Sequence, residues 1–187
     1  MSQLKVFRPF GPVSYELKGT EAAIRIFGEL WRQASHFAVV NPFLPVLDGP
    51  EIGTKKLKRV QRACRNFPCL QLVEQAYWAT AWPGTVDHHP PALLLHGRVE
   101  TNFYTMMFGQ SKGIFWEEQK GWEDLMLFSE STLMFYVCTH ERVGEIIGPI
   151  TLFSTLTLSP TAPLLQDEWV IRGDLIPPVV LKRLLEP

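Results

Sequence analysis

The sequence has few cysteines, no long apolar run and no phosphate-binding glycine loop, and each absence argues against a class of protein. Cys64, Cys69 and Cys138 are too few and too irregularly spaced for a disulfide framework or a zinc site. No apolar run approaches the roughly 20 residues of a membrane-spanning helix. The first residues, MSQLKVFRPF, lack the basic and apolar regions of a signal peptide. We therefore expect a cytoplasmic or nuclear protein without membrane contact, and nothing favours a P-loop nucleotidase.

The composition predicts one folded domain spanning residues 1–187. With 46% hydrophobic residues, the chain can bury one core of ordinary size. Helical spacing predominates in residues 1–90, whereas residues 91–187 carry short apolar segments typical of strands, such as ALLLHG, LMLFS, LMFYVC and EWVI. The sequence thus predicts an α+β fold, with a helix-rich first half and a strand-rich second half that forms a split pair of packed sheets.

One segment near residues 54–66 concentrates the positive charge of a chain whose net charge is only −1. Its cations are Lys55, Lys56, Lys58, Arg59, Arg62 and Arg65. No acidic residue lies between Glu51 and Glu74, and apolar residues from Leu57 to Phe67 recur at helical spacing. The pattern predicts an amphipathic helix with a cationic outer face. That face is either an ordinary solvated surface or a platform for the phosphates of nucleic acid or for an acidic protein.

Asp87, His88 and His89 are metal-ligating residue types, but their context favours a loop. Pro90 and Pro91 follow directly, and no partner lies at the spacing of a metal site. We expect an exposed connection here, and no metal.

Three segments carry the most specific pattern, and the last of them lies far along the chain from the other two. LLLHGRVETNF, residues 93–103, ends an apolar run on His96 and Gly97, and KGIFW follows at residues 112–116. Close to the end of the sequence, DEWVI, residues 167–171, sets Glu168 among strand-forming residues. In this order, the segments resemble the NAD pocket of ADP-ribosyltransferases of the poly(ADP-ribose) polymerase type.

The resemblance implies NAD as cofactor and assigns a role to each motif residue. It makes Glu168 and His96 catalytic, because the glutamate would stabilise the oxocarbenium ion and the histidine would bond a ribose hydroxyl. The cofactor contacts that it implies are His96, Gly97, Arg98, Phe115 and Trp122. The implied activity is mono-ADP-ribosyl transfer, in which NAD is cleaved and one ADP-ribose passes to a protein or nucleic-acid acceptor.

Two departures from the family pattern favour a different function. Arg98 stands where the family has Ser or Thr, and Phe115 stands where it has Tyr, so hydroxyls that would hold the ribose are missing. The alternative is a non-catalytic interaction module, or a degenerate relative, that uses the basic helix to bind an acidic partner or nucleic acid.

Overall fold

A computed structural model describes residues 2–5, 13–17, 30–47, 53–108, 121–139, 143–148 and 170–185. The strands are β1 (Ser2–Lys5), β2 (Val13–Leu17), β3 (His36–Asn41), β4 (Val73–Ala81), β5 (Ala92–Arg98), β6 (Glu123–Ser129), β7 (Thr132–Cys138), β8 (Val143–Gly148) and β9 (Val170–Leu175). The helices are α1 (Thr54–Arg65), α2 (Phe103–Phe108) and α3 (Pro178–Leu185). Residues 30–33 are also helical, and Leu70–Leu72 form a 3-10 turn.

The described strands form a single antiparallel sheet. Its order is β1-β9-β4-β5-β3-β6-β7-β8-β2, and the six strands from β9 to β7 make up its centre. β5 and β3 lie side by side in the middle, with Ala38 opposite His96 and Phe37 opposite Gly97. The residues at the centre of this sheet are therefore held by backbone ladders on both sides.

The sheet has two buried faces, because side chains alternate along each strand. One face, here called the helical face, contributes Phe37, Val39, Leu93 and Leu95 to a core shared with buried residues of all three helices. The other, here called the opposite face, forms a second apolar cluster that includes Ala38, Val40, Leu94, Met126 and Phe128. Which face a residue occupies therefore decides which side chains it can meet.

Several sequence predictions are confirmed. The fold is α+β, and the basic segment is helical over Thr54–Arg65. LMLFS and LMFYVC lie in β6 and β7, and Asp87 to Pro90 lie in the connection between β4 and β5. No helix in the described ranges combines the length and apolar character needed to cross a membrane.

The division into a helix-rich and a strand-rich half stays a prediction, because several segments of residues 1–90 lie outside the described residues. Residues 1–90 contribute four strands, β1 to β4, beside α1 and the helical residues 30–33. β3 reads HFAVVN and is buried on both faces, so it lacks the alternation by which half-exposed strands are identified. All nine described strands also belong to one sheet, so the predicted pair of packed sheets is not seen among them.

The helix α3 was not predicted. Pro178 occupies its first position, where proline's fixed φ and missing N–H do not disturb the helix. Leu181 and Leu184 are buried against the core, and α3 packs along α1. This contact joins two elements that are more than 110 residues apart in the sequence.

Candidate functional site

His96 lies in the opposite face of the sheet, in an aromatic environment. Its ring stacks on that of His36, with ring centroids 5.4 Å apart and ring planes 6° from parallel. Phe128 meets it edge-on, at a centroid distance of 6.2 Å. The sequence predicted a strand end at this position, but His96 lies inside β5 and pairs with Ala38 on one side and Gln75 on the other.

This environment keeps His96 neutral at pH 7. Burial, and to a smaller extent the neighbouring His36, lower the pKa of the imidazole to about 4, while Glu74 opposes the shift. The Nδ1 atom is buried and has no hydrogen-bond partner among the described residues. A buried polar atom without a partner is uncommon and is a candidate ligand contact.

Ser35 anchors the edge of this histidine pair. Its Oγ lies 2.9 Å from His36 Nδ1 and accepts a hydrogen bond from the Glu130 N–H at 2.6 Å. The Ser35 N–H donates to the Phe128 carbonyl oxygen. These bonds tie the start of β3 to the turn between β6 and β7, so the described contacts of Ser35 are structural.

Gly97 allows a close approach on the helical face. A Cβ atom there would overlap the Leu72 carbonyl oxygen and lie 2.9 Å from the Phe37 ring. The absence of a side chain therefore serves the packing of the 3-10 turn onto the sheet. Gly97 is also flanked by strands on both sides, opposite Phe37 and Val73, so its backbone lies in the ladder.

Arg98 and Trp122 are the other described members of the predicted pocket, and they lie apart from each other. The Arg98 Nε atom pairs with Glu74 Oε1 at 2.6 Å on the surface. Trp122 is fully buried in the helical-face core, where its Nε1 donates to the Ala63 carbonyl oxygen at 3.3 Å. Trp122, a predicted cofactor contact, thus lies inside the core and is separated from His96 by the sheet.

Glu168 and Phe115, the predicted catalytic glutamate and a predicted cofactor contact, lie outside the described residues. A different carboxylate, that of Asp124, is buried near Trp82, but it is fully engaged. It accepts hydrogen bonds from Trp82 Nε1 at 2.8 Å and from the Thr139 N–H at 2.7 Å. Asp124 is thus a structural group rather than a candidate acid or base.

The six cations of α1 are all exposed. At 100° per residue, five of them fall within an arc of about 120° centred opposite the buried Val60 and Cys64. These five are Lys55, Lys58, Arg59, Arg62 and Arg65. No carboxylate of the described residues forms an ion pair with any of the six.

α3 extends this positive surface. Lys182 and Arg183 are exposed in its last turn, and Gln61 Nε2 of α1 donates to the Arg183 carbonyl oxygen at 2.8 Å. Neither helix contains an acidic residue. The exposed Lys and Arg residues of α1 and α3 are called the cationic surface below.

Phe43 lies beside the cationic surface. Arg59 Nη2 donates to its carbonyl oxygen at 2.9 Å, while its side chain is 62% exposed. Both Phe43 and the α3 cations were missed by sequence reasoning. Phe43 lies in a proline-rich loop without periodicity, whereas the apolar spacing of PVVLKRLL after Pro177 could have revealed α3.

No model of a known protein family matches this sequence, and no curated protein or solved structure shows significant similarity to it.

Proposed function

We propose that this chain is an interaction module that binds a polyanionic partner, an acidic protein or a nucleic acid, through the cationic surface. The observation that carries the proposal is the packing of α3 onto α1, which adds Lys182 and Arg183 to the six exposed cations of α1. Eight positive charges then share two adjoining helices that contain no acidic residue. Such a surface attracts polyanions and releases their counterions on contact.

The local electrostatics of α1 support a role in binding. Lys55 and Lys56 lie in its first turn, where the helix dipole disfavours cations, and Gly53 provides no side-chain cap. The pairs Lys55–Arg59 and Lys58–Arg62 are also like charges at i, i+4, which destabilise a helix by a few tenths of a kcal/mol each. Because these cations destabilise the helix that carries them, binding of a partner explains their presence better than a contribution to stability does.

The test of this proposal is binding as a function of salt concentration. Labelled oligothymidylate and labelled poly-glutamate would be titrated with the protein, with fluorescence anisotropy as the readout. Five phosphate contacts would give a slope of log affinity against log salt of about −3.5 on the single strand. Failure of both polyanions to bind at low salt, or affinities that do not change with salt, would refute the proposal.

We propose NAD-dependent mono-ADP-ribosyl transfer as a second function, with Glu168 and His96 as its catalytic residues. It is supported by the ordered motifs and by the buried His96 Nδ1, which could bond a ribose hydroxyl. Arg98 follows two residues later in β5, so its side chain leaves the sheet on the same face. Gly97 and Trp122 do not fit this pocket, since both face the helical core.

Nicotinamide release from NAD tests the second function. We expect purified protein to release nicotinamide, and both Glu168→Gln and His96→Ala to lose most of that activity while remaining folded. Trp122→Phe is a useful control, because a core residue that does not touch the cofactor should change stability more than turnover. No release by the unmodified protein, together with no rise in melting temperature on adding NAD, would remove this candidate.

A further inference from the structure

Phe43 is the only phenylalanine, tyrosine or tryptophan with an exposed side chain among the residues whose side-chain burial the structure describes. Exposing a large aromatic ring forgoes burial that would stabilise the fold by about 2 kcal/mol. The neighbouring Leu44 and Leu47 are both buried, so the loop itself packs well. The exposed ring is therefore an exception within an otherwise anchored loop.

The backbone around Phe43 is held in place. Its N–H donates to Asn41 Oδ1 at 3.2 Å, and Asn41 is buried. Its carbonyl oxygen accepts from Arg59 Nη2. The Phe43 ring also lies close to the backbone of Gly121, which has φ +86°. A Cβ atom at position 121 would lie 3.3 Å from Phe43 Cδ2, so the missing side chain allows this approach. The ring is thus presented from a fixed position, which limits the entropy lost when it binds a ligand.

Phe43 also borders the cationic surface on a defined side. In α1, Arg59 is at one edge of the cationic arc, and its side chain touches Phe43. Gln61, which bonds to α3, lies beyond the other edge of the arc. The cations of α1 consequently lie between an exposed aromatic ring and the cations of α3.

We propose that the cationic surface and Phe43 together bind single-stranded nucleic acid, with the cations contacting phosphates and a base stacking on the Phe43 ring. This inference rests on the proposed polyanion binding and names its partner. A groove or surface that combines backbone-tracking cations with an aromatic platform is the recurring arrangement of sequence-tolerant single-strand binding. An acidic protein has no bases, and a duplex keeps its bases stacked, so neither would use Phe43 in this way.

The test compares four probes: oligothymidylate, an abasic oligonucleotide of the same length, a duplex of that length, and poly-glutamate. We expect Phe43→Ala to weaken oligothymidylate binding about 5-fold or more, as is typical for loss of one stacked base. Binding of the three other probes should change less than 2-fold (~0.4 kcal/mol). The salt slope on oligothymidylate should not change, because no phosphate contact is lost.

Two further variants control for fold and chemistry. Phe43→Trp retains a stacking face and should preserve oligothymidylate affinity. Val86→Ala removes another exposed apolar side chain, 85% exposed in the connection between β4 and β5, and should change nothing. Thermal unfolding of each variant checks that the loop substitution leaves the fold intact.

The outcomes separate this inference from the function on which it rests. If unmodified protein binds none of the four probes, polyanion binding itself is wrong and the inference falls with it. If it binds oligothymidylate and poly-glutamate, but Phe43→Ala matches the unmodified protein on oligothymidylate, polyanion binding stands and single-strand stacking is overturned. Equal weakening on all four probes would show a structural effect of the substitution and would also overturn the stacking role.

Discussion

Replacing both Lys58 and Arg62 by Glu is expected to weaken polyanion binding about 100-fold or more at low salt. The two residues lie one turn apart near the middle of the cationic arc of α1. Each reversal turns an attraction into a repulsion. At a contact distance near 4 Å, one such interaction is worth about 1 kcal/mol in water and more near a protein surface. Each reversal therefore costs about 2 kcal/mol of binding free energy or more, from the lost attraction and the added repulsion. Two reversals together exceed the roughly 2.8 kcal/mol that corresponds to a 100-fold loss of affinity.

Anisotropy titrations over a range of salt concentrations would measure this effect. The salt slope on oligothymidylate should become shallower by about 1.4, because two phosphate contacts are lost. The matched control exchanges the same residues while keeping their charge, Lys58→Arg with Arg62→Lys, and should bind within a few-fold of the unmodified protein. Affinity of the doubly reversed variant within 2-fold of the original (~0.4 kcal/mol) would show that α1 does not contact the polyanion.

Stability distinguishes a lost contact from a lost fold in this experiment. The reversals give position 58 an opposite-charge pair with Lys55 and position 62 opposite-charge pairs with Arg59 and Arg65, each worth a few tenths of a kcal/mol, while positions 58 and 62 still carry like charges. The doubly reversed variant should thus unfold at the same denaturant concentration as the unmodified protein, or slightly above it. A surface selected for stability would not respond in this way.

Lowering the pH from about 6.5 to about 4 is expected to cost the fold roughly 2 kcal/mol through His96 alone. Burial lowers the pKa of this imidazole from 6.5 to about 4 in the folded protein. Between these values the unfolded chain binds the proton and the folded chain does not, so acid favours unfolding. The contribution is fully present above pH 6.5, falls through this window, and is constant below about pH 4. One pKa unit corresponds to about 1.36 kcal/mol. Because His96 is partly accessible to solvent, the loss of unfolding free energy is smaller than this factor applied to the whole pKa shift would give.

Urea unfolding of the protein and of His96→Leu at several pH values isolates this contribution. The free energy of unfolding should fall more steeply with acid in the unmodified protein, and the two profiles should become parallel below about pH 4. Titration of the imidazole resonances by NMR gives the pKa directly. Parallel profiles throughout, or an imidazole that titrates near pH 6.5, would show that burial beside His36 does not exclude the charged form.

Local patterns explain why some elements could be predicted. The apolar seam through Val60 and Cys64 repeats every three or four residues. This spacing is sufficient to predict α1 and to place its cations on the side of the helix opposite the seam. β6 and β7 are short apolar runs separated by a turn at Glu130, which has φ 55°. In each case, residues near one another in sequence carry the signal.

The predicted NAD pocket shows what the order of motifs along a chain leaves open. Its described members are His96, Gly97, Arg98 and Trp122. The side chains of His96 and Trp122 lie on opposite faces of one sheet, and Gly97 makes room for the Leu72 carbonyl oxygen. The order of motifs along a chain does not tell on which face of a sheet a side chain lies, because a register shift of one residue moves every side chain of a strand to the other face.

By itself, the sequence determined the α+β class, the helical basic segment and its exposed charge, because each follows from residue type and from spacing over a few turns. Only the tertiary structure decided that α3 lies against α1 and that Phe43 projects beside Arg59, because these contacts join residues 122 and 16 positions apart. It also decided that His96 is neutral, since the low pKa comes from burial and from His36 in the adjacent strand. Long-range packing sets local charge and dielectric, and neither can be read from the residues alone.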